Sequence, residues 1–222
     1  MEIANQITDW FSLFVILGAL ITSFIYGNRK DLLSIRVYII TSFIFNLIAK
    51  VFDYRSKSFS YQYISEIVLN IFSILEISLL YYFFYTGIKN HKLRITIVFL
   101  LLTYFSTCII YWVVKKNSFY AFSPDLFGLE CLFLVIPCLF YLFEILNSEL
   151  PFNLNSNPNF IMTCGILFYF SISAPSYFSW HNLSLMTPSY LRILILSNSI
   201  FYAILFFSFM KAYICTIPNL KR

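Results

Sequence analysis

The sequence predicts an all-α fold: a polytopic membrane bundle of seven transmembrane helices, with the N-terminus outside and the C-terminus inside. Three observations carry this prediction. Hydrophobic residues make up 60% of the 222-residue chain and charged residues only 11%, more apolar surface than a soluble domain of this size can hide. Seven apolar runs, each near the ~20 residues a helix needs to cross hydrocarbon, are separated by short polar loops. None of them alternates over about ten residues as a barrel strand would, and helices are the other structure that satisfies its own backbone in lipid.

The first run, residues 10–26, carries Gly18 and Ala19 as small packing positions. It follows the acidic and polar start MEIANQITDW. With no basic n-region and no small-residue cleavage site, this reads as a retained span, not a removable signal peptide. The second run, 37–52, follows the turn GNRKD; the third, 63–88, is the most polar inside; the fourth, 95–114, is ended by Lys115 and Lys116. The fifth, sixth and seventh cover 126–146, 160–180 and 190–217. The longest loop, Asn147 to Asn159, is too short to fold separately, so residues 1–222 form a single integral membrane domain.

Helix starts have identifiable chemistry. Ser123-Pro124-Asp125 supplies an N-cap, a proline at the first position and an acid at the positive dipole end of the fifth helix. Asn157-Pro158 opens the sixth helix and Thr187-Pro188 the seventh, which Pro218 stops. Pro137 and Pro175 lie inside spans. Each should free a carbonyl and bend its helix, either opening a cavity or serving as an inert packing feature.

Orientation follows from the basic residues. With the N-terminus outside, the cytoplasmic side collects Arg29, Lys30, Arg36, Lys89, Lys92, Arg94, Lys211, Lys221 and Arg222. The outer side holds Lys50, Arg55, Lys57, Lys115, Lys116 and Arg192. This scatter through short loops is a topology signal and not a nucleic-acid patch. The cluster Lys89, His91, Lys92 and Arg94 fits a cytoplasmic loop near anionic lipid.

Polar residues inside the spans are the candidates for function. On the second helix Tyr38, Ser42, Asn46 and Lys50 recur every four residues and form one stripe. On the third, Glu66, Asn70, Ser73 and Glu76 fall within an arc of about 120°. Lys50 and Glu66 lie at similar depth across the hairpin, so an outer ion pair is expected, with snorkelling of Lys50 as the alternative. Glu76 is the deepest acid. It is either a ligand, ion or proton site, or an uncharged acid hydrogen-bonded to a Ser, Asn or Tyr.

On the fifth helix Glu130, Pro137 and Glu144 share a face at seven-residue spacing, and Asn198 adds an outer-half group on the seventh. Glu144 and Lys211 lie at comparable inner depth, where a structural pair is expected. The candidate ligand-binding set is therefore Asn46, Glu66, Asn70, Glu76, Glu130 and Asn198, with Lys50, Glu66, Glu144 and Lys211 in structural pairs.

Several chemistries are disfavoured. The two histidines, His91 and His181, both fall in loops, so no multi-histidine metal centre is expected. No GxSxG, HExxH or glycine-rich phosphate loop occurs. Lys211 sits in the inner third of the last span without the acidic counter-ion pattern of a retinal pigment. The cysteines at 108, 131, 138, 164 and 215 read as small packing residues. No catalytic set and no cofactor are expected.

Leu75-Glu76 and Leu129-Glu130 repeat on the third and fifth spans, and the sixth carries Asn157-Pro158-Asn159-Phe160 and Gly165-Ile166-Leu167-Phe168-Tyr169-Phe170-Ser171. This pattern resembles a group of small bacterial seven-helix membrane proteins without assigned activity, some encoded beside sensor kinases. The resemblance implies a sensory or accessory role, and an inner-membrane location in a bacterium. The resulting expectation is a receptor-like module that binds a small or lipophilic ligand in an outer-half polar pocket. It would signal to a cytoplasmic partner, with the lipid bilayer as its constant neighbour. A carrier or channel using Glu76 or Glu130 is the alternative, and an intramembrane enzyme using paired carboxylates a weaker one.

Overall fold

The structure, a computed structural model, describes residues 2–26, 32–54, 59–115, 123–147, 154–180 and 188–216. Seven long helices account for nearly all of them: α1 (Glu2–Tyr26), α2 (Leu33–Tyr54), α3 (Phe59–Gly87), α4 (His91–Val114), α5 (Pro124–Leu146), α6 (Pro158–Phe178) and α7 (Pro188–Ile214). A 3-10 turn, Leu154–Ser156, precedes α6. Six helices, α2 to α7, are long and apolar enough to cross a bilayer, and in α1 the apolar stretch Trp10–Tyr26 is shorter. This is the architecture of a multi-pass helical membrane protein.

Most helices begin before the apolar run that predicts them, because a first turn can be polar when its orphan N–H groups are capped. Asn90 caps α4, its side chain accepting from the Lys92 N–H at 3.0 Å. Asn157 caps α6 as expected, accepting from Asn159 and Phe160, with Pro158 at the first position. Ser123 departs from expectation: its side chain makes no capping bond, and its carbonyl takes the Leu126 and Phe127 N–H groups. Thr187, Pro218, His181 and the basic residues Arg29, Lys30, Arg55, Lys57, Lys116, Lys221 and Arg222 lie outside the described residues.

We call the end at which α1, α3, α5 and α7 begin the upper end. Six helices pack side by side in a closed circuit, α1–α2–α3–α5–α6–α7 and back to α1. Helix α4 stands outside the circuit against α3 and α5. Its inner face is Ile97, Tyr104 and Cys108, flanked by partly buried Leu93, Leu101 and Phe105; the outer face, including Phe99, Leu102, Ile109 and Ile110, is exposed. Such an apolar exterior suits lipid and not water. The hydroxyls of Thr103, Ser106 and Thr107 bond back to carbonyls of their own helix, which is how a lipid-facing helix satisfies them.

At the lower end the circuit is fastened through backbone carbonyls. Tyr213 on α7 donates to Leu32 O and Thr216 donates to Tyr26 O, both at 3.1 Å. Glu144 of α5 accepts from the Lys89 N–H at 2.6 Å, gripping the turn between α3 and α4. Its carboxylate therefore holds that turn and not Lys211, which is exposed on α7; the depth match between Glu144 and Lys211 was real, but α5 and α7 lie on opposite sides of α6. Arg94 folds back onto the same turn, donating to Ile88 O. At the upper end Lys115 and Asp125 form an exposed pair at 3.6 Å.

Pro137 does not sit inert. The carbonyl it frees, four residues earlier at Phe133, accepts a 2.7 Å hydrogen bond from the Tyr81 hydroxyl of α3. Tyr81→Phe should therefore orphan that buried acceptor and cost about 1–3 kcal/mol, seen as a lower unfolding midpoint in detergent. The same substitution made alongside Pro137→Ala should cost little, because the α5 backbone bond is then restored.

Candidate functional site

A cavity of about 350 Å³ lies inside the circuit, in its upper half, lined by all six helices and by nothing from α4. The wall is built from Ser12 on α1, Asn46 and Lys50 on α2, and Leu69, Phe72 and Glu76 on α3. Across from these stand Phe127, Glu130 and Cys131 on α5, Tyr169, Phe170 and Tyr177 on α6, and Asn198, Ser199 and Tyr202 on α7. The lining residues come from the upper parts of their helices, so the cavity faces the upper end. Its volume falls within the usual range for small-molecule sites.

Below it the bundle is closed by aromatic rings. Tyr169 packs on Tyr202 and Tyr202 on Phe206, with centroids 5.4 and 4.9 Å apart. Tyr38 stacks on Phe206 at 6.1 Å and meets Phe209 edge-on at 5.9 Å. All of these rings are buried except Tyr202, which is partly buried, and the tyrosine hydroxyls place polar atoms in an otherwise apolar layer.

Both mid-span acids are on the wall, and each is steadied from behind. Glu76 is 6% exposed and accepts from the Tyr38 hydroxyl at 2.6 Å. Glu130 is 1% exposed, and its Oε2 accepts from the Ser73 hydroxyl at 2.5 Å. Neither Tyr38 nor Ser73 lines the cavity. Ser73 shares a second bond with the Tyr104 hydroxyl of α4 at 3.3 Å. A serine has one hydroxyl proton, already given to Glu130, so Tyr104 is the donor. The cavity carboxylate is thus linked through Ser73 to the helix outside the circuit. Its Oε1 is buried without a hydrogen-bond partner.

The two asparagines are fixed by tyrosines. Asn46 donates to Ser42 O at 2.8 Å and to the Tyr202 hydroxyl at 3.2 Å. Asn198 accepts from Ser173 at 2.8 Å and donates to the Tyr177 hydroxyl at 3.2 Å.

Of the six candidate ligand residues, Asn46, Glu76, Glu130 and Asn198 converge on the cavity, while Glu66 and Asn70 are not on its wall. The reason is angular. Leu69, Phe72 and Glu76 face the cavity, whereas Ser73 meets Glu130 and Tyr104 beside it. At ~100° per residue Glu66 and Asn70 share the Ser73 side, so an arc read as one face straddles two interfaces. Lys50, expected in a structural pair with Glu66, is itself part of the wall. Cys131, read as a packing residue, also lines the cavity.

Sequence reasoning missed Tyr169, Tyr177 and Tyr202. Seventeen tyrosines hide among 27 phenylalanines in this chain, and a buried hydroxyl is invisible in hydropathy. For Tyr202 the available signal was its place four residues after Asn198 on the same helix.

Chemically, the site offers two carboxylates, tyrosine hydroxyls and aromatic faces at its base, with a lysine toward its mouth. Among the described residues no group of three or more metal-ligating side chains occurs. No family model, curated protein or solved structure matches the chain.

Proposed function

We propose that this protein is a receptor-like membrane module that binds a small ligand in the upper cavity and passes the event to its lower, cytoplasmic face through α4. The observation that carries the reading is the chain Glu130–Ser73–Tyr104, which joins a cavity carboxylate to a helix that contributes nothing to the cavity wall. A ligand that engages Glu130 changes the demand on Ser73 and hence on Tyr104, one of three buried residues holding α4 in place. Helix α4 begins at the turn bearing Lys89, His91 and Lys92, all exposed. The basic count favours the cytoplasmic side for that turn, and the resemblance to proteins encoded beside sensor kinases supports a sensory role.

The carrier reading draws on the same two acids. It requires the aromatic layer below them to open, and only it predicts proton- or sodium-coupled flux in proteoliposomes.

One experiment tests both access and transmission. In single-cysteine variants, a small membrane-impermeant thiol reagent added from the upper side should modify Cys131 much faster than Cys138, which is fully buried off the cavity. Filling the cavity in this way should change amide hydrogen exchange across residues 88–92. With Tyr104→Phe the labelling should persist and the exchange change should vanish. Equal reactivity of Cys131 and Cys138, or an unmoved turn after labelling, would end the reading.

A further inference from the structure

Charge balance in the cavity identifies a class of ligand. Glu76 and Glu130 are both buried, and the donors they meet are hydroxyls. Neither forms an ion pair within the described residues. A carboxylate removed from water needs a positive partner to stay ionised. Ser73 occupies Oε2 of Glu130, so the oxygen left to a ligand is Oε1, which is buried and without a partner.

Lys50 does not fill that role. It lies twelve residues beyond Tyr38 on α2, about 18 Å along the axis, at the mouth and not at the base. The surroundings also discriminate among cations. The wall sets its two acids among the rings of Phe72, Phe127, Tyr169, Tyr177 and Tyr202. Aromatic faces attract organic cations and bury the apolar body attached to them.

We propose that the cavity recognises an organic ammonium, a primary or secondary amine on an apolar or aromatic body, with its N–H donating to Oε1 of Glu130. This rests on the reading of the cavity as a ligand site. Ser73 holds Oε2 of Glu130 and leaves Oε1 as its unused acceptor, and Tyr38 fixes Glu76 in the same way one turn lower.

The test uses the full chain in detergent, with benzylamine as probe and benzyl alcohol, benzoate and sodium chloride as neutral, anionic and metal-ion arms. Benzylamine should raise the melting temperature saturably, and the alcohol and benzoate should bind at least about tenfold more weakly, as loss of a hydrogen bond to a charged group implies. Glu130→Gln should lose a similar factor for benzylamine, while Glu66→Gln, off the wall, should not. Should Glu130→Gln fail to fold, protection of Cys131 from thiol labelling in the unaltered protein decides instead: benzylamine should protect and benzoate should not.

The proposal is overturned if benzylamine does not bind, if benzyl alcohol or benzoate binds as well, or if sodium alone stabilises as much. Absence of benzylamine binding while Cys131 stays reactive removes the ammonium assignment and leaves the pocket. An unreactive Cys131 removes the pocket as well.

Discussion

Gly165→Val is expected to be the most damaging single substitution in α6. A Cβ at this position would lie 1.9 Å from Ser208 Oγ and 2.6 Å from Ser208 Cβ on α7. The hydroxyl can rotate away, but the Cβ is fixed to the α7 backbone, so the helices must part. Overpacking of this kind typically costs about 1–3 kcal/mol, occasionally more, and in lipid no hydrophobic drive pulls separated helices together again. Purified Gly165→Val should show a clearly lower melting temperature and a broadened elution profile, and adding Ser208→Gly should restore much of the loss. Wild-type melting for the single variant would mean that α6 and α7 do not approach this closely.

Tyr38→Phe should cost about 1–3 kcal/mol, because it leaves the buried Glu76 carboxyl without its hydroxyl donor. The ring stays, so packing on Phe206 and Phe209 is unaffected. Against a Glu76→Leu background the same substitution should cost close to nothing, since no acceptor remains. A double-mutant cycle by reversible unfolding in mixed micelles gives the coupling directly. A coupling indistinguishable from zero would show that the 2.6 Å bond contributes nothing to stability.

Seven helices and their order are legible in the runs of apolar residues, and the prolines and asparagines at 124, 157 and 158 mark their starts well. The closed circuit is not legible, because neighbour relations depend on which faces match, and the α3 face illustrates why. Glu66, Asn70, Ser73 and Glu76 look contiguous on a helical projection, yet Ser73 is taken by Glu130 of α5 and Tyr104 of α4, and of the four only Glu76 is on the cavity wall. The α2 stripe was more informative: Tyr38, Asn46 and Lys50 each meet the site or its support, since a four-residue repeat on one helix stays on one side of it. Pro137 was read correctly as freeing a carbonyl, but nothing in the sequence ties Tyr81, 52 residues earlier, to that carbonyl. The exclusion of α4 leaves only a faint trace, a span with no charged or amide side chain between Arg94 and Lys115.

The circuit closes between the first and the last of the described helices, α1 and α7. During synthesis α1 must therefore wait, one flank uncovered, until every other helix has been inserted. Asn198, Ser199 and Tyr202 arrive with that final helix, so a chain that has made only α1 to α6 has an open trough in place of a chamber. Partial products can insert in a membrane and still hold no site, which ties competence to completed assembly and leaves α1, flanked by lipid until then, as the natural place for quality control to look.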